Sequence, residues 1–157
     1  MAFNNTVLNQ SAKLGAGEVI KSKPYVTEAF STFEDGLIQG RFAKYDTGSL
    51  DMLDGSGTPT IAGIVRRKIG GELDVSTYRN TGTLVDTVAE AHTMGFATVD
   101  VVTGDEPVRY GTVYAENQTA GEYGKATTVS ADNIETNWVF IEEIDTDVWL
   151  VARKEMV

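Results

Sequence analysis

Two adjacent carboxylates near the C-terminus, Glu142 and Glu143, have the residue types of a catalytic pair. Two carboxylates that flank a scissile bond hydrolyse glycosides, one as the acid and the other as the nucleophile or base. These two, however, lie in a run of large apolar and β-branched residues that predicts a β-strand, and successive strand side chains point to opposite faces. Because they cannot act on one bond, the pair predicts no hydrolase.

Other chemistry-bearing residues are sparse. Asp51 and Asp54 precede glycines in a polar segment, but the alternating acidic ligands and the bidentate glutamate of a calcium loop are missing. His92 is the single histidine, and since nothing near it in sequence supplies both an orienting partner and a nucleophile, we expect it at the surface or at a strand edge. The chain has no cysteine, which excludes thiolate metal sites and cysteine nucleophiles. We expect no catalytic residue, no metal and no cofactor.

The overall charge limits the classes of partner. The 157 residues include 23 acidic and 13 basic ones, a formal net charge of −10. Nucleic-acid binding needs clustered lysine and arginine, so this balance argues against it. No stretch approaches the roughly 18 consecutive apolar residues of a membrane span, and the N-terminus lacks the pattern of a secretion signal. The sequence predicts a soluble protein of a reducing cytoplasm, with neither nucleic acid nor membrane as partner.

The acidic excess is confined to one part of the chain. Residues 1–85 hold nine acidic and nine basic residues, whereas residues 86–147 hold thirteen acidic and two basic ones. Such a distribution is typical of a solvated face that keeps a protein soluble. It is also expected of a protein that attaches through a neutral half and turns an acidic half to water. Both interpretations stay open.

β-Branched residues predict a mainly β fold. Valine, isoleucine and threonine supply 44 of the 157 residues, and sixteen glycines suit tight turns. We expect one small antiparallel β-barrel or sandwich, including a jelly-roll-like form, over residues 37–157. The predicted strands cover 37–45, 60–65, 83–92, 96–102, 108–114, 138–144 and 148–153. The fourth and fifth of these are predicted to form one hairpin, and the last two another.

Residues 1–36 are predicted to form an N-terminal arm. Their large apolar side chains follow neither a helical nor an alternating period, although the segment 28–33 is compatible with one helical turn. An apolar segment without a period is typically stabilised by packing on something else, here the chain's own domain or a neighbouring subunit. The candidate contact residues of the arm are Phe3, Val7, Leu8, Leu14, Phe30 and Phe33.

The single basic cluster of the chain begins a polar stretch over residues 66–82. Charges that end a strand are typical of a solvated edge or an interface rim. A long exposed loop in a compact domain tends to contact partners. The candidate contact residues of this loop are Arg66, Arg67, Lys68, Tyr78 and Arg79.

A series of glycine and hydrophobic landmarks runs from residue 40 to residue 153. The landmarks are Gly40-Arg41-Phe42-Ala43-Lys44, Ala62-Gly63-Ile64-Val65, the loop to Tyr78, Gly95-Phe96-Ala97-Thr98-Val99, Gly111-Thr112-Val113-Tyr114 and the segment from Trp138 to Arg153. In this order, and with an apolar arm before them, they resemble the structural cement (decoration) proteins of tailed bacteriophage capsids.

The resemblance implies a non-enzymatic virion protein of the capsid surface, made in the host bacterial cytoplasm. It implies binding to the outside of an assembled shell, which the protein stabilises by bridging neighbouring major capsid subunits, and self-association as a dimer or trimer. The family has no catalytic residues to carry over. We then expect the neutral part of the chain to face the shell. Deleting residues 1–24 should weaken attachment while the domain stays folded.

Two other functions remain open from the residues. One is another virion component, such as a head-fibre base or a tail protein, which shares the β-rich composition. The other is a carbohydrate-binding β-barrel in which Trp138, Trp149 or tyrosine residues supply a flat stacking surface. Buried tryptophans would argue against the second function.

Overall fold

The computed structural model describes residues 15–34, 36–66 and 89–157. Within these ranges the chain forms ten β-strands and one short 3-10 helix, Lys154–Met156. The strands are β1 (Val26–Phe30), β2 (Phe42–Asp46), β3 (Ser49–Met52), β4 (Ile61–Val65), β5 (Ala89–Met94), β6 (Phe96–Asp100), β7 (Thr112–Ala115), β8 (Ala126–Thr127), β9 (Ile134–Asp145) and β10 (Val148–Arg153).

The strands divide in chain order into two antiparallel sheets. The first sheet has the order β1-β5-β4-β2-β3, and the second has the order β6-β10-β9-β7-β8. Neither sheet closes on itself, so the fold is sandwich-like rather than a barrel. The prediction of a mainly β antiparallel fold is confirmed in its sandwich form.

The main hydrophobic core lies between the two sheets. Phe42 and Ile64 reach it from the first sheet, and Val99, Trp138 and Phe140 reach it from the second; all five are buried. Large side chains from both sheets therefore share one apolar layer, which holds the sandwich together through burial of apolar surface.

Each sheet carries a further apolar cluster. Ile64 belongs to the core between the sheets, whereas its neighbour Val65 packs in the cluster of the first sheet. This confirms that the strand predicted over 60–65 is buried on both faces. The buried members of the first sheet's cluster are Phe30, Leu37, Ala43, Leu50, Val65, Ala89 and Ala91. Those of the second sheet's cluster are Val139, Ile141, Leu150 and Ala152.

The hairpin predicted at the C-terminus is confirmed as β9 and β10. Within it, Glu142 lies opposite Leu150 and Glu143 lies opposite Trp149. Leu150 packs in the second sheet's own cluster, and Trp149 packs against the core between the sheets. Because paired residues share a face, the two glutamates lie on opposite faces, as the alternation argument requires.

The hairpin predicted from residues 96–102 and 108–114 is wrong. Its two strands correspond to β6 and β7, which share a sheet but are separated in it by β10 and β9. After β6 the chain turns toward β8 instead, where the Val102 amide donates to the Ala126 carbonyl at 2.9 Å. Local β propensity indicates which segments form strands. It does not determine how the strands pair, because pairing depends on all the strand edges that compete for a partner.

Other segments also differ from prediction. Residues 28–30 belong to β1 and form no helical turn, because Phe30 pairs with Ala89 and is buried. The strand predicted from residue 37 begins only at Phe42, and Asp51 lies in β3. The predicted arm thus supplies a strand of the first sheet, while its residues 1–14 lie outside the described residues.

Candidate interaction surface

Residues 15–20 run along the outer edge of β6. The Gly17 amide donates to the Thr98 carbonyl at 2.8 Å, and the Ile20 amide donates to the Phe96 carbonyl at 2.9 Å. Unpaired backbone groups at a sheet edge invite unwanted pairing with other chains. This segment closes the β6 edge of the second sheet with the protein's own chain.

The Thr98 side chain holds the start of the segment. Its buried hydroxyl donates to the Gly15 carbonyl at 2.5 Å and accepts a hydrogen bond from the Glu18 amide at 3.0 Å. A buried hydroxyl that is satisfied as donor and as acceptor specifies one conformation of the chain around it. The described chain therefore begins at Gly15 in a defined position on the second sheet.

Gly40 makes room for the same segment. Its φ of 79° lies in the left-handed region that favours glycine, and a Cβ at this position would overlap Ala16. The Gly40 amide donates to the Val65 carbonyl, and the Gly40 carbonyl accepts from the Asp100 amide, both at 2.9 Å. Gly40 thus joins the end of β4, the end of β6 and the start of the described chain.

Gly95 makes room for a later part of the N-terminal segment, at Pro24 and Tyr25. Its φ is 115°, and a Cβ there would lie 2.8 Å from the Tyr25 Cβ and 2.9 Å from the Pro24 carbonyl oxygen. Two of the glycine landmarks in the sequence therefore provide the space in which residues 15–25 pack on the sandwich.

His92 is fully buried, so the expectation of a surface or edge position is wrong. Its Nε2 lies 3.0 Å from the Gly17 carbonyl oxygen, and its Nδ1 lies 3.1 Å from the Thr27 hydroxyl. Since a carbonyl oxygen only accepts, the neutral ring carries its hydrogen on Nε2 and accepts at Nδ1 from Thr27. Burial lowers the pKa of His92, and the hydrogen bond to Gly17 opposes that effect.

Arg66 is the member of the predicted basic cluster that the structure describes. Its amide donates to the Glu90 carbonyl, and its Nη1 lies 2.8 Å from the Glu90 carboxylate. Both side chains are partly exposed, so the pair contributes at most about 1 kcal/mol. Its position just after β4 marks the point where the chain enters residues 67–88.

The two segments with most of the candidate contacts join the fold at the same end. Val65, beside Arg66, accepts the hydrogen bond from Gly40, and Gly40 packs directly against Ala16. The last described residue before 67–88 and the first one after 1–14 therefore lie on either side of Gly40. We call this place the Gly40 junction.

The candidate contact residues fall into two groups. Phe30 is 5% exposed, and Phe33 packs partly buried against the same cluster of the first sheet, so both support the fold around β1. Arg66 is paired with Glu90. The remaining candidates lie outside the described residues: Phe3, Val7, Leu8, Leu14, Arg67, Lys68, Tyr78 and Arg79.

Asp54 is committed to local contacts. One carboxylate oxygen lies 2.8 Å from the Lys44 Nζ, and the other accepts from the Ser56 amide at 3.0 Å. The hydrogen bond from Lys44, followed by those from Ser56, holds the pKa of Asp54 well below its usual range.

Across the described ranges, no group of three or more histidine, aspartate or glutamate side chains is placed to hold a metal ion. Those ranges also contain no helix long and apolar enough to cross a membrane.

Trp138 packs inside the fold, and Trp149 packs partly buried against the core between the sheets. Trp138 is 1% exposed, and the Arg153 guanidinium lies 5.9 Å from its ring centroid. Trp149 packs edge-on against Phe140, with ring centroids 5.6 Å apart. Trp138 therefore has no exposed ring face on which a sugar could stack, whereas Trp149 is only partly buried.

Sequence reasoning missed Thr98 and His92, which hold the arm to the sandwich. Their partners Gly15 and Gly17 lie 83 and 75 positions away along the chain. Isolated threonine and histidine residues carry no local signal of such contacts. The glycine landmarks were the one signal available, because each marks a close approach of two backbones.

Comparisons with known proteins agree with this architecture. The family model described as XM1 gp53 minor capsid protein matches residues 3–152. Among solved structures, a chain in the capsid of Myoviridae phage XM1 is 46% identical, covers 97% of both chains and has a TM-score of 0.79. A comparison with curated proteins finds no match. The resemblance to a phage capsid-associated protein is confirmed: the chain belongs to the XM1 gp53 minor capsid protein family and is a structural protein of a phage virion.

Proposed function

We propose that the protein binds the outside of an assembled capsid and stabilises it, without catalysis, by bridging neighbouring major capsid subunits. The observation that carries this proposal is the Gly40 junction, where residues 1–14 and 67–88 join one end of the sandwich. Because both segments join the sandwich at the same end, each can contact a different neighbouring capsid subunit. Each contact can be weak, because many copies act together on one shell.

The composition of the two segments suits different contacts. The arm brings large apolar side chains, whose ordering costs conformational entropy that docking offsets. The loop brings cations and one aromatic side chain, which suit a polar interface. The proposed contacts are Phe3, Val7, Leu8 and Leu14 from the arm, and Arg67, Lys68, Tyr78 and Arg79 from the loop.

Charge supports one orientation on the shell. Residues 1–94, which include the arm, the loop and the first sheet, hold eleven acidic and nine basic residues. Residues 95–157, which form the second sheet, hold twelve acidic and four basic ones. The charge division along the chain thus corresponds to the two sheets. We place the nearly neutral part toward the shell and the acidic sheet toward water.

Co-sedimentation with shells that lack this protein tests the proposal. Wild type should saturate the shells and raise the temperature at which they rupture. Deletion of residues 1–14, and separately Tyr78→Ala with Arg79→Ala, should reduce occupancy at equal protein concentration. A matched control is Arg109→Ala with Tyr110→Ala, which removes an exposed cation and an exposed tyrosine from the second half of the chain.

The control should bind like wild type. The proposal fails if the deletion and the loop variant both saturate shells as wild type does. It also fails if cryo-electron microscopy places the chain inside the shell or on the tail.

A further inference from the structure

A cavity opens between the two sheets at the end of the sandwich opposite the Gly40 junction. It is lined by residues 59–63, which lead into and begin β4, by residues 134–138 of β9, and by Arg153 at the end of β10. The Gly40 junction contacts the other end of β4, at Val65. Every lining residue lies in the described part of the chain, and none belongs to the proposed contact segments.

The cavity forms because two strands extend past their neighbours. The β4–β5 ladder begins only at Ile64, so residues 61–63 extend past the paired part of β5. On the facing sheet, the β9–β10 ladder begins at Trp138 opposite Arg153, so residues 134–137 extend past β10. The two extensions lie at the same end of the sandwich and enclose the space between them.

The size and lining of the cavity suit a small molecule. Its volume is about 280 Å³, near the lower limit of roughly 300 Å³ for ligand pockets. Ile61 and Ile134 line it and pack partly buried against the core. Thr60, Glu135 and Asn137 are exposed and place polar groups at its mouth. Apolar walls with a few polar groups are typical of small-molecule sites.

Trp138 brings a hydrogen-bond donor without a partner to this cavity. It lines the cavity, is 1% exposed and packs in the layer between the sheets. Its backbone amide donates to the Thr136 hydroxyl, whereas its indole N–H has no acceptor among the described residues. Arg41 Nε is the one fully buried side-chain nitrogen of those residues that lacks a partner, so the indole nitrogen is not sealed in the core. A buried indole N–H normally has an acceptor, which a molecule in the cavity can supply.

Arg153 supplies a second donor beside the first. Its guanidinium lies 5.9 Å from the Trp138 ring centroid. Its Nε and Nη2 lie 3.3 and 3.4 Å from the exposed Glu155 carboxylate, longer than the distance of about 2.7–2.9 Å that is typical of a charge-assisted hydrogen bond. Its Nη1 has no acceptor in the part of the chain that the structure describes.

We infer that the cavity binds the carboxylate of a small organic acid, with Trp138 Nε1 and the Arg153 guanidinium as donors. A carboxylate supplies two acceptor oxygens and the charge that a guanidinium binds best. A short aliphatic stem on the acid contacts Ile61 and Ile134. The small volume favours a free acid over a segment of another protein. The inference goes beyond the proposed function and does not rest on it.

The charges around the mouth are compatible with an anion. Arg153 and Lys154 are two of the four basic residues in 95–157, so half of the cations of the acidic sheet lie at this cavity. Lys154 Nζ lies 3.2 Å from Glu135, which offsets the charge of that lining carboxylate. Glu155 is then the competitor of the ligand, because it already occupies two donors of Arg153.

Nuclear magnetic resonance of the ¹⁵N-labelled full chain tests the inference with butyrate at pH 7 and constant ionic strength. The chain has two tryptophans and hence two indole N–H signals. The Trp138 signal should move until it saturates, while the Trp149 signal stays in place. Butyramide has the same shape without the charge and should bind at least tenfold more weakly. An unmoved Trp138 signal, or equal binding of butyramide, would overturn the inference.

Arg153→Gln should weaken butyrate binding at least tenfold. The matched control is Arg109→Gln, which removes another cation that contacts an aromatic ring in the second sheet, 5.0 Å from the Tyr110 centroid. It should bind butyrate like wild type. If Arg153→Gln has the melting temperature and the butyrate affinity of wild type, the guanidinium does not bind the ligand and the inference is wrong.

Two substitutions at exposed positions cover the case in which Arg153→Gln does not fold. Glu155→Gln removes the competing carboxylate and should tighten butyrate binding at least threefold, which a purely structural role of Arg153 does not explain. Asn137→Asp adds a negative charge at the mouth and should weaken binding at least threefold. Unchanged affinity in both variants contradicts the inference. Shell occupancy, measured separately, tests only the proposed function.

Discussion

The Nε2 of His92 donates a hydrogen bond of 3.0 Å to the Gly17 carbonyl oxygen, joining β5 to the arm segment that runs along β6. The other ring nitrogen accepts from Thr27 in β1, so one buried side chain connects three parts of the fold. A buried polar ring with both nitrogens satisfied favours a single arrangement of the groups around it. This histidine therefore positions residues 15–20 on the sandwich.

Replacing His92 should destabilise the protein. His92→Ala leaves a cavity and removes the partner of the Gly17 carbonyl and the Thr27 hydroxyl, so we expect the free energy of unfolding to fall by about 2–4 kcal/mol. Thr93→Ala, at the partly exposed neighbour, should change it by less than about 0.5 kcal/mol. Urea unfolding measures both. Equal stabilities of the two variants would show that the ring does not hold the arm.

Stability should depend on pH through His92. Burial, followed by the nearby Arg66, lowers its pKa in the folded protein, whereas the Gly17 hydrogen bond and Glu90 raise it. The unfolded chain therefore binds the proton at a higher pH than the folded one. The contribution of neutral His92 to the free energy of unfolding is fully present above about pH 6.5. It declines as the pH falls toward the pKa of the folded state, by at most about 1.4 kcal/mol per pH unit.

His92→Gln isolates this effect, because the carboxylates that also titrate are unchanged in it. Unfolding free energies measured from pH 7.5 to pH 5 should show a smaller slope in the variant than in wild type. Parallel curves would mean that the ring does not lose stability by protonation.

Gly40→Ala should be much more harmful than Gly104→Ala. Both glycines have positive φ, 79° and 92°, so both substitutions carry the strain of a left-handed alanine, about 1 kcal/mol. Only at Gly40 does the new Cβ overlap Ala16; nothing lies within 4 Å at Gly104. We expect an additional loss of about 2 kcal/mol for Gly40→Ala, read from thermal melts. If both variants have the same melting temperature, the close approach of residue 40 to Ala16 does not contribute to the loss of stability.

Truncation should have two distinct outcomes. Removing residues 1–14 leaves every described contact in place, so the melting temperature should stay within a few degrees of wild type. Removing residues 1–24 also takes away the segment that covers β6, and unfolding free energy should fall by about 3 kcal/mol or more. Since the longer deletion combines both effects, the shorter one measures attachment. A 1–24 deletion as stable as wild type would contradict the role assigned to residues 15–20.

Some of the architecture was predictable because it depends on residues close in sequence. The β9–β10 hairpin combines two apolar runs with the turn Asp145-Thr146-Asp147, and its strands pair as predicted. The strand of residues 60–65 is a continuous apolar run and is buried on both faces. In both cases the pattern and the structure involve the same few side chains.

Pairings between distant segments were not predictable. β6 and β7 have the appearance of a hairpin, but β10 and β9 lie between them, because the C-terminal hairpin occupies the middle of the sheet. β1 lies in a segment without strand alternation, and it forms because β5 offers it an edge. A local sequence pattern does not indicate which strand edge a segment will pair with.

The sequence by itself determined the β-rich composition, the turns and the positions where a glycine permits close approach, because backbone preferences act within a few residues. It also determined the charge division, which becomes a division between the two sheets. Only the tertiary structure decided that His92 and Thr98 hold the arm and that Gly40 brings the starts of two contact segments together. These facts depend on contacts across many tens of residues, which form only when the whole sandwich has packed.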